Sequence, residues 1–152
     1  MEKNAKILLC NESIDERKRM IDFLTKSGFH QIDEVAQGDG AIDKLVSGSY
    51  DIAIVDLWMS GVDGIGIIRA VNKAHLSKTP SFILLSAINK QSVLLEASEA
   101  GADICLLKPF DNTSLVSHID SLLRLRSRNG MKQSLTDGND MEAQVTKIIH
   151  QI

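Results

Sequence analysis

No apolar run in this sequence is long enough to cross a membrane: the uncharged apolar stretches reach about five residues, against the roughly 20 that a spanning helix needs. A secretory signal is missing too, because only Ile7 to Cys10 follows the charged start MEKNAK. A cytoplasmic location with no membrane partner is therefore expected. Cysteine is scarce, and both copies, Cys10 and Cys105, sit inside apolar runs without metal-ligand spacing, so both read as core residues. Charge of one sign is lacking as well. With 17 Lys and Arg against 20 Asp and Glu the net charge is −3, which gives no overall field for nucleic acid or an anionic membrane. The acid-free stretch 121–133, with Arg124, Arg126, Arg128 and Lys132, reads as a solvated helix end and linker.

What is present is an ordinary globular composition, 43% hydrophobic and 24% charged over 152 residues, enough for one domain and a tail of about 30 residues. Five short apolar runs recur at strand length: Ile7–Cys10, Ile32–Ala36, Ile52–Val55, Phe82–Leu85 and Ile104–Leu107. Four are almost continuously apolar, as in strands covered on both faces, whereas the second carries Asp33 and Glu34 and reads as an edge. Between them apolar residues recur at helical spacing: Met20, Ile21 and Leu24; Ala41, Ile42 and Leu45; Ile67, Ile68 and Val71; Val93, Leu94 and Ala97. Leu115, Val116, Ile119, Leu122 and Leu123 form a fifth stripe behind the candidate caps Asp111, Asn112 and Thr113. Gly28, Gly48 and Gly101 stand where helices should stop. Strict alternation of strand and helix predicts an α/β fold with a mostly parallel sheet and helices on both faces.

From about Ser127 the apolar period is lost, and RNGMKQSLTDGND reads as a linker. The final MEAQVTKIIHQI, with Met141, Val145, Ile148 and Ile149 on one stripe, predicts a short amphipathic helix that is marginal by itself.

In open parallel sheets, ligands bind beyond the carboxyl ends of the strands. The polar residues following the apolar runs are Asn11-Glu12, Asp56, Ser86-Ala87 and Lys108-Pro109. Asp56 could act as a nucleophile toward phosphorus, Glu12 could help to hold Mg²⁺, a hard ion that wants oxygen ligands, Ser86 could donate to a phosphoryl oxygen, and Lys108 could offset its charge. Each of these residues taken singly is an ordinary cap or loop residue; their joint placement is the signal. The glycine-rich Gly61–Gly66 has neither dinucleotide spacing nor a P-loop lysine.

Lys6-Ile-Leu-Leu-Cys-Asn-Glu12, Asp51-Ile-Ala-Ile-Val-Asp56 with Met59 and Asp63-Gly64, Leu85-Ser-Ala87, and Gly101-Ala-Asp with Lys108-Pro-Phe110 together resemble the receiver domain of two-component response regulators. The resemblance covers residues 4–126. It implies a doubly wound five-stranded parallel sheet of order 2-1-3-4-5, the flavodoxin-like order, in which Cys10 and Cys105 are too far apart for a disulfide. It makes Asp56 the phosphoacceptor, Ser86 the switch hydroxyl and Lys108 the phosphate-reading cation before a cis peptide bond. Metal ligands would be Glu12, Asp56, the backbone carbonyl of Trp58, and Asn11 through water. The Trp58 indole would either shield the acyl phosphate from water or pack on a neighbouring loop.

The stretch from Lys108 to Ile119 and the segment 141–152 are similar to the stage 0 sporulation protein A family. That likeness implies a receiver, a linker over 127–140, and over 141–152 the start of a truncated DNA-binding effector domain. It further implies a histidine kinase or histidine phosphotransferase as donor, transcriptional control of sporulation through a phosphorelay, and DNA contact only through the missing effector. A homodimer would form through the fourth helix, fifth strand and fifth helix, with Val93, Leu115 and Arg124 on that face. The chain is then a phosphoryl-accepting module, not a turnover enzyme.

Asn11-Glu12 departs from the acidic pair usual in that family. One missing charge about 5 Å from the ion, at an effective dielectric of ~40–80, weakens Mg²⁺ binding by roughly 1.5–3 kcal/mol, on the order of 10–100-fold. Glu12, one methylene longer than Asp, could instead reach Lys108. Cys105 occupies a position usually aromatic in the family, so a ring-swinging switch has no ring here, and Ser60 stands where proline is frequent. An atypical receiver that dimerises or binds partners without phosphate is the alternative reading.

Overall fold

Period-two alternation in the strands sorts their side chains to two faces, and each face buries a core of its own. The computed structural model describes residues 3–131. Its elements run β1 Lys3–Cys10, α1 Ile14–Lys26, β2 Phe29–Val35, α2 Gly38–Ser47, β3 Ile52–Asp56, α3 Gly64–Lys73, β4 Ser81–Ser86, α4 Gln91–Ala100, β5 Ile104–Leu107 and α5 Asn112–Met131. All strand pairs are parallel, in the order β2-β1-β3-β4-β5, as the receiver resemblance implies.

Ile7, Leu9, Ile52, Ile54, Ile83, Leu85 and Ile104 pack with Met20 and Leu24 of α1 and Leu115, Ile119 and Leu122 of α5. The intervening Leu8, Cys10, Ala53, Val55, Phe82, Leu84 and Cys105 pack with α2, α3 and α4 through Leu45, Ile67, Ile68, Val71, Leu94 and Ala97. Burying an aliphatic side chain of this kind contributes about 1.5–3 kcal/mol, and every residue of β3 and β4 is buried. Sheet burial therefore holds the fold, and most weakly at the β2 edge.

Both β1 and β2 start before the expected runs, because Lys3 pairs with Phe29 across a register irregularity. Polar residues there enter the sheet through partners outside their own segment: Lys3 bonds Asp120 of α5 at 3.2 Å. The edge acids of β2 are also engaged, Asp33 by the Tyr50 hydroxyl at 2.6 Å and Glu34 by Arg17 at 2.7 Å. Gly101 closes α4 in the left-handed region, with φ 117°. α5 continues to Met131, past the Ser127 at which a linker is expected, since no proline interrupts the helical ladder there. The remainder of the expected linker and the segment 141–152 lie outside the described residues. Leu115, expected on the dimer face, is fully buried against the sheet, while Val93 is half-buried and Arg124 exposed. The helical stripe of α5 faces the sheet, and Leu115 lies on it.

Candidate functional site

The strand order reverses between β1 and β3, which both neighbour each other and lead to opposite edges, and a cleft opens at such a switch point. Asp56 ends β3 there, with its side chain about 10% exposed. Its strand end is fixed by backbone bonds on either side: the Leu57 N–H donates to the Leu85 carbonyl at 2.8 Å and the Gly64 N–H to the Leu57 carbonyl at 2.9 Å. Gly64 has to lack a side chain, for a Cβ would lie 2.5 Å from the Asp56 carbonyl oxygen and 2.7 Å from Leu84.

Lys108 leaves β5, its backbone N–H donating to the Ser86 carbonyl at 2.8 Å. Its side chain then crosses the end of β4, and Nζ lies 2.7 Å from Asp56 Oδ1. The peptide bond to Pro109 is cis. Ser86 is buried at the end of β4, and its hydroxyl accepts from the Ile88 N–H at 2.9 Å and donates to the Ile88 carbonyl at 3.2 Å. The Ser86 hydroxyl is therefore held in a local turn. Trp58, two residues past Asp56, is 63% exposed, so the indole is not buried on a neighbouring loop.

A second carboxylate at this rim is that of Glu16. Glu12 is exposed, and the reach to Lys108 considered for it belongs to Glu16, whose Oε2 lies 3.4 Å from Nζ. Asn11 is buried, and its amide donates to Glu16 Oε2 at 2.6 Å while its Oδ1 accepts the Ser13 N–H at 2.9 Å. Arg17 clamps the same loop, donating to the Asn11 carbonyl at 2.6 Å. Helix geometry explains why Glu16 escapes a reading by strand ends: it reaches the rim from the first turn of α1. The available signal was Ser13-Ile-Asp-Glu16, a capping-box pattern at the mouth of the site.

Burial pushes the Asp56 carboxyl above the ordinary aspartate range, against the lowering hydrogen bond and charge of Lys108, and the Glu16 carboxylate pushes it further up. Glu16 is held below its ordinary range, first by the Asn11 amide and, against a rise from burial, by Lys108. Every buried side-chain nitrogen and oxygen among the described residues has a partner. A cavity of about 540 Å³ opens beside Glu16 and Lys108, lined also by Arg19, Met20, Phe23 and Phe110 among others.

Among the described residues no group of three or more His, Cys, Asp or Glu gathers as metal ligands. Asp56 and Glu16 still bring two carboxylates to one rim, both facing the Lys108 ammonium, and carboxylate oxygens are the donors that a hard divalent ion keeping several of its waters would take. A buried carboxylate held by a cation at a rim open to solvent is an arrangement that can attack an electrophilic phosphorus.

The chain is 32% identical over 124 residues to the transcriptional regulatory protein ResD of Bacillus subtilis, covering 82% of this chain and 50% of that one. It therefore spans about half the length of that relative. It is 28% identical over 120 residues to a probable chemotaxis protein CheY of Rhizobium etli, covering 79% and 93%. Among solved structures, a two-component response regulator from Clostridium difficile superposes with a TM-score of 0.73 at 26% identity, covering 80% of this chain and 97% of that one. A Francisella receiver domain shares the fold, with a TM-score of 0.75 at 22% identity, covering 81% and 99%. The response regulator receiver domain profile matches residues 7–120. With its switch-point acid, its lysine and this match across most of its length, the chain belongs to the response regulator receiver domain family.

Proposed function

We propose that this receiver takes a phosphoryl group onto Asp56 from the phosphohistidine of a histidine kinase or histidine phosphotransferase, and passes the change to a binding face. The observation that carries this reading is the buried Asp56 carboxylate with Lys108 Nζ 2.7 Å away. An Asp56 oxygen attacks phosphorus, and the bond from phosphorus to the donor's imidazole nitrogen breaks, its electron pair returning to the ring. Lys108 then offsets charge on the transferred group. Mg²⁺ bound by the Asp56 and Glu16 carboxylates and the Trp58 backbone carbonyl would add positive charge at the phosphoryl oxygens. Glu12 and a water on Asn11 complete the ligand set inferred from the sequence. Ser86 leaves its turn at Ile88 to donate to a phosphoryl oxygen, which draws the β4–α4 loop inward.

The output face is the one made by α4, β5 and α5, where Val93 and Arg124 stand and two copies would pair. In a longer chain this pairing would bring together effector domains on DNA. The likeness of residues 141–152 to the opening of an effector supports transcriptional control, and the stage 0 sporulation protein A resemblance narrows it to sporulation.

Intact-protein mass spectrometry after incubation with Mg²⁺ and a small acyl phosphate tests the reaction. One phosphoryl gained in the wild type and none in Asp56→Asn supports it. No gain at any Mg²⁺ concentration overturns it and leaves a phosphate-independent interaction module.

A further inference from the structure

The Ser13–Glu16 pair has the sequence of a reciprocal capping box, in which the glutamate side chain reaches back to the backbone N–H of the cap residue. Half of that box is made: the Ser13 hydroxyl accepts the Glu16 N–H at 3.2 Å. The other half is taken over, because the Ser13 N–H donates at 2.9 Å to Asn11 Oδ1. Glu16 is thereby released from its capping duty. This same bond fixes the Asn11 amide with its NH₂ toward Glu16, at 2.6 Å from Oε2. An aspartate at position 11 could not make that contact, since two carboxylates at this separation repel. Asn11 and Glu16 are thus a matched pair: the neutral residue at the strand end permits the acid on the helix, and steers it to within 3.4 Å of Lys108, whose other partner is Asp56.

We propose that Glu16 is a positioning residue that supplies, from the first turn of α1, the carboxylate that Asn11 lacks, holding Lys108 beside Asp56 and providing the second negative charge met by a divalent cation there. The inference rests on the reading of Asp56 as a cation-assisted phosphoacceptor. It removes the charge deficit that Asn11 alone implies, by relocating the charge.

Trp58 is the sole tryptophan of the chain, so its emission reports on the rim without a label. Mg²⁺ is titrated against the wild-type chain, Glu16→Gln, Glu12→Gln, Asn11→Asp and the double variant Asn11→Asp/Glu16→Gln, with phosphoryl uptake by the wild type followed by mass on the same preparation. Glu16→Gln is expected to weaken Mg²⁺ binding on the order of 10-fold. The double variant, which moves the acid back to the strand end, is expected to return to within about threefold of the wild type, a non-additivity that a merely structural glutamate would not produce. An unchanged Mg²⁺ affinity in Glu16→Gln, a loss confined to Glu12→Gln, or a double variant no better than Glu16→Gln would overturn the proposal while leaving the phosphoacceptor reading intact. A wild type that neither takes up phosphoryl nor responds to Mg²⁺ overturns both.

Discussion

Asp56 sits where burial disfavours its charged form more than Lys108 favours it. Its folded-state pKa lies above the unfolded one because burial outweighs Lys108, so the stability it contributes is complete below the unfolded pKa and is lost as pH rises through the folded value. At pH 7 the charge is a net cost. Asp56→Asn in metal-free buffer should therefore raise stability by about 0.5–2 kcal/mol at pH 7, in line with other relieved functional sites, and the gain should shrink in acid; urea unfolding at the two pH values measures it. The Trp58 side chain, two residues past Asp56, is 63% exposed; on the proposed phosphorylation of Asp56, Trp58→Ala should shorten the lifetime of the acyl phosphate by a factor on the order of a few, through better access of water. An unchanged decay rate, followed by mass, would leave the indole with no shielding role.

Elements deliver these residues through a few close backbone contacts. The loop from Leu57 to Asp63 runs between the N-termini of α2 and α3: Gly38 donates to the Ser60 carbonyl at 3.1 Å, and Gly64 sits against the Asp56 carbonyl. Gly64→Ala adds a methyl with no room, an overpacking cost of about 1–3 kcal/mol, and should shift Trp58 emission as the Leu57–Asp63 loop moves. Emission and stability both equal to wild type would show that α3 yields instead. At the opposite ends of the strands, Asp51 joins β1 to β3, accepting the Lys6 N–H at 2.8 Å and pairing with Lys78 at 2.8 Å. Burial pushes its carboxyl up, but Lys78, the Lys6 N–H and Arg126 prevail and the net shift is downward. Its contribution is accordingly present above the unfolded pKa and lost as pH falls through the folded one. Asp51→Asn should cost about 1–2 kcal/mol at neutral pH, part of the ion pair being exposed, with the difference from wild type closing in acid.

For the whole molecule, the sheet order sets what can meet. Cys10 on β1 and Cys105 on β5 are separated by β3 and β4, three strand spacings of roughly 4.8 Å, well beyond disulfide reach. Both are free and buried, with the Cys105 thiol pushed up to about 11 by burial and Cys10 raised further. A thiol reagent should therefore find both inert in the native protein and titrate two thiols in denaturant. Fast reaction of either without denaturant would mean that the sheet opens locally. Arg126 of α5 reaches the Thr79 carbonyl at 2.8 Å and Ser81 at 3.2 Å, so α5 is tied to the start of β4 as well as packed on the sheet.

Sequence alone was sufficient for the layered architecture, because two periods are written locally: near-continuous apolar runs for strands buried on both faces, and stripes such as Leu115, Ile119 and Leu122 for helices that lie on them. It was also sufficient to expect Asp56, Ser86 and Lys108 at one end of the sheet, since each lies at the end of an apolar run and the ends of parallel strands share one rim. It could not place Lys3 in the sheet, because that depends on a partner strand. Nor could it tell which glutamate turns toward Lys108. Glu12 and Glu16 are both acids near the end of β1, and only the tertiary structure chose between them: Asn11, buried against the switch point, takes the backbone N–H that would have held Glu16, while Glu12 is left exposed. Strand ends are specified by local pattern, but the direction of a side chain beyond them is decided by which hydrogen bonds its neighbours have already taken.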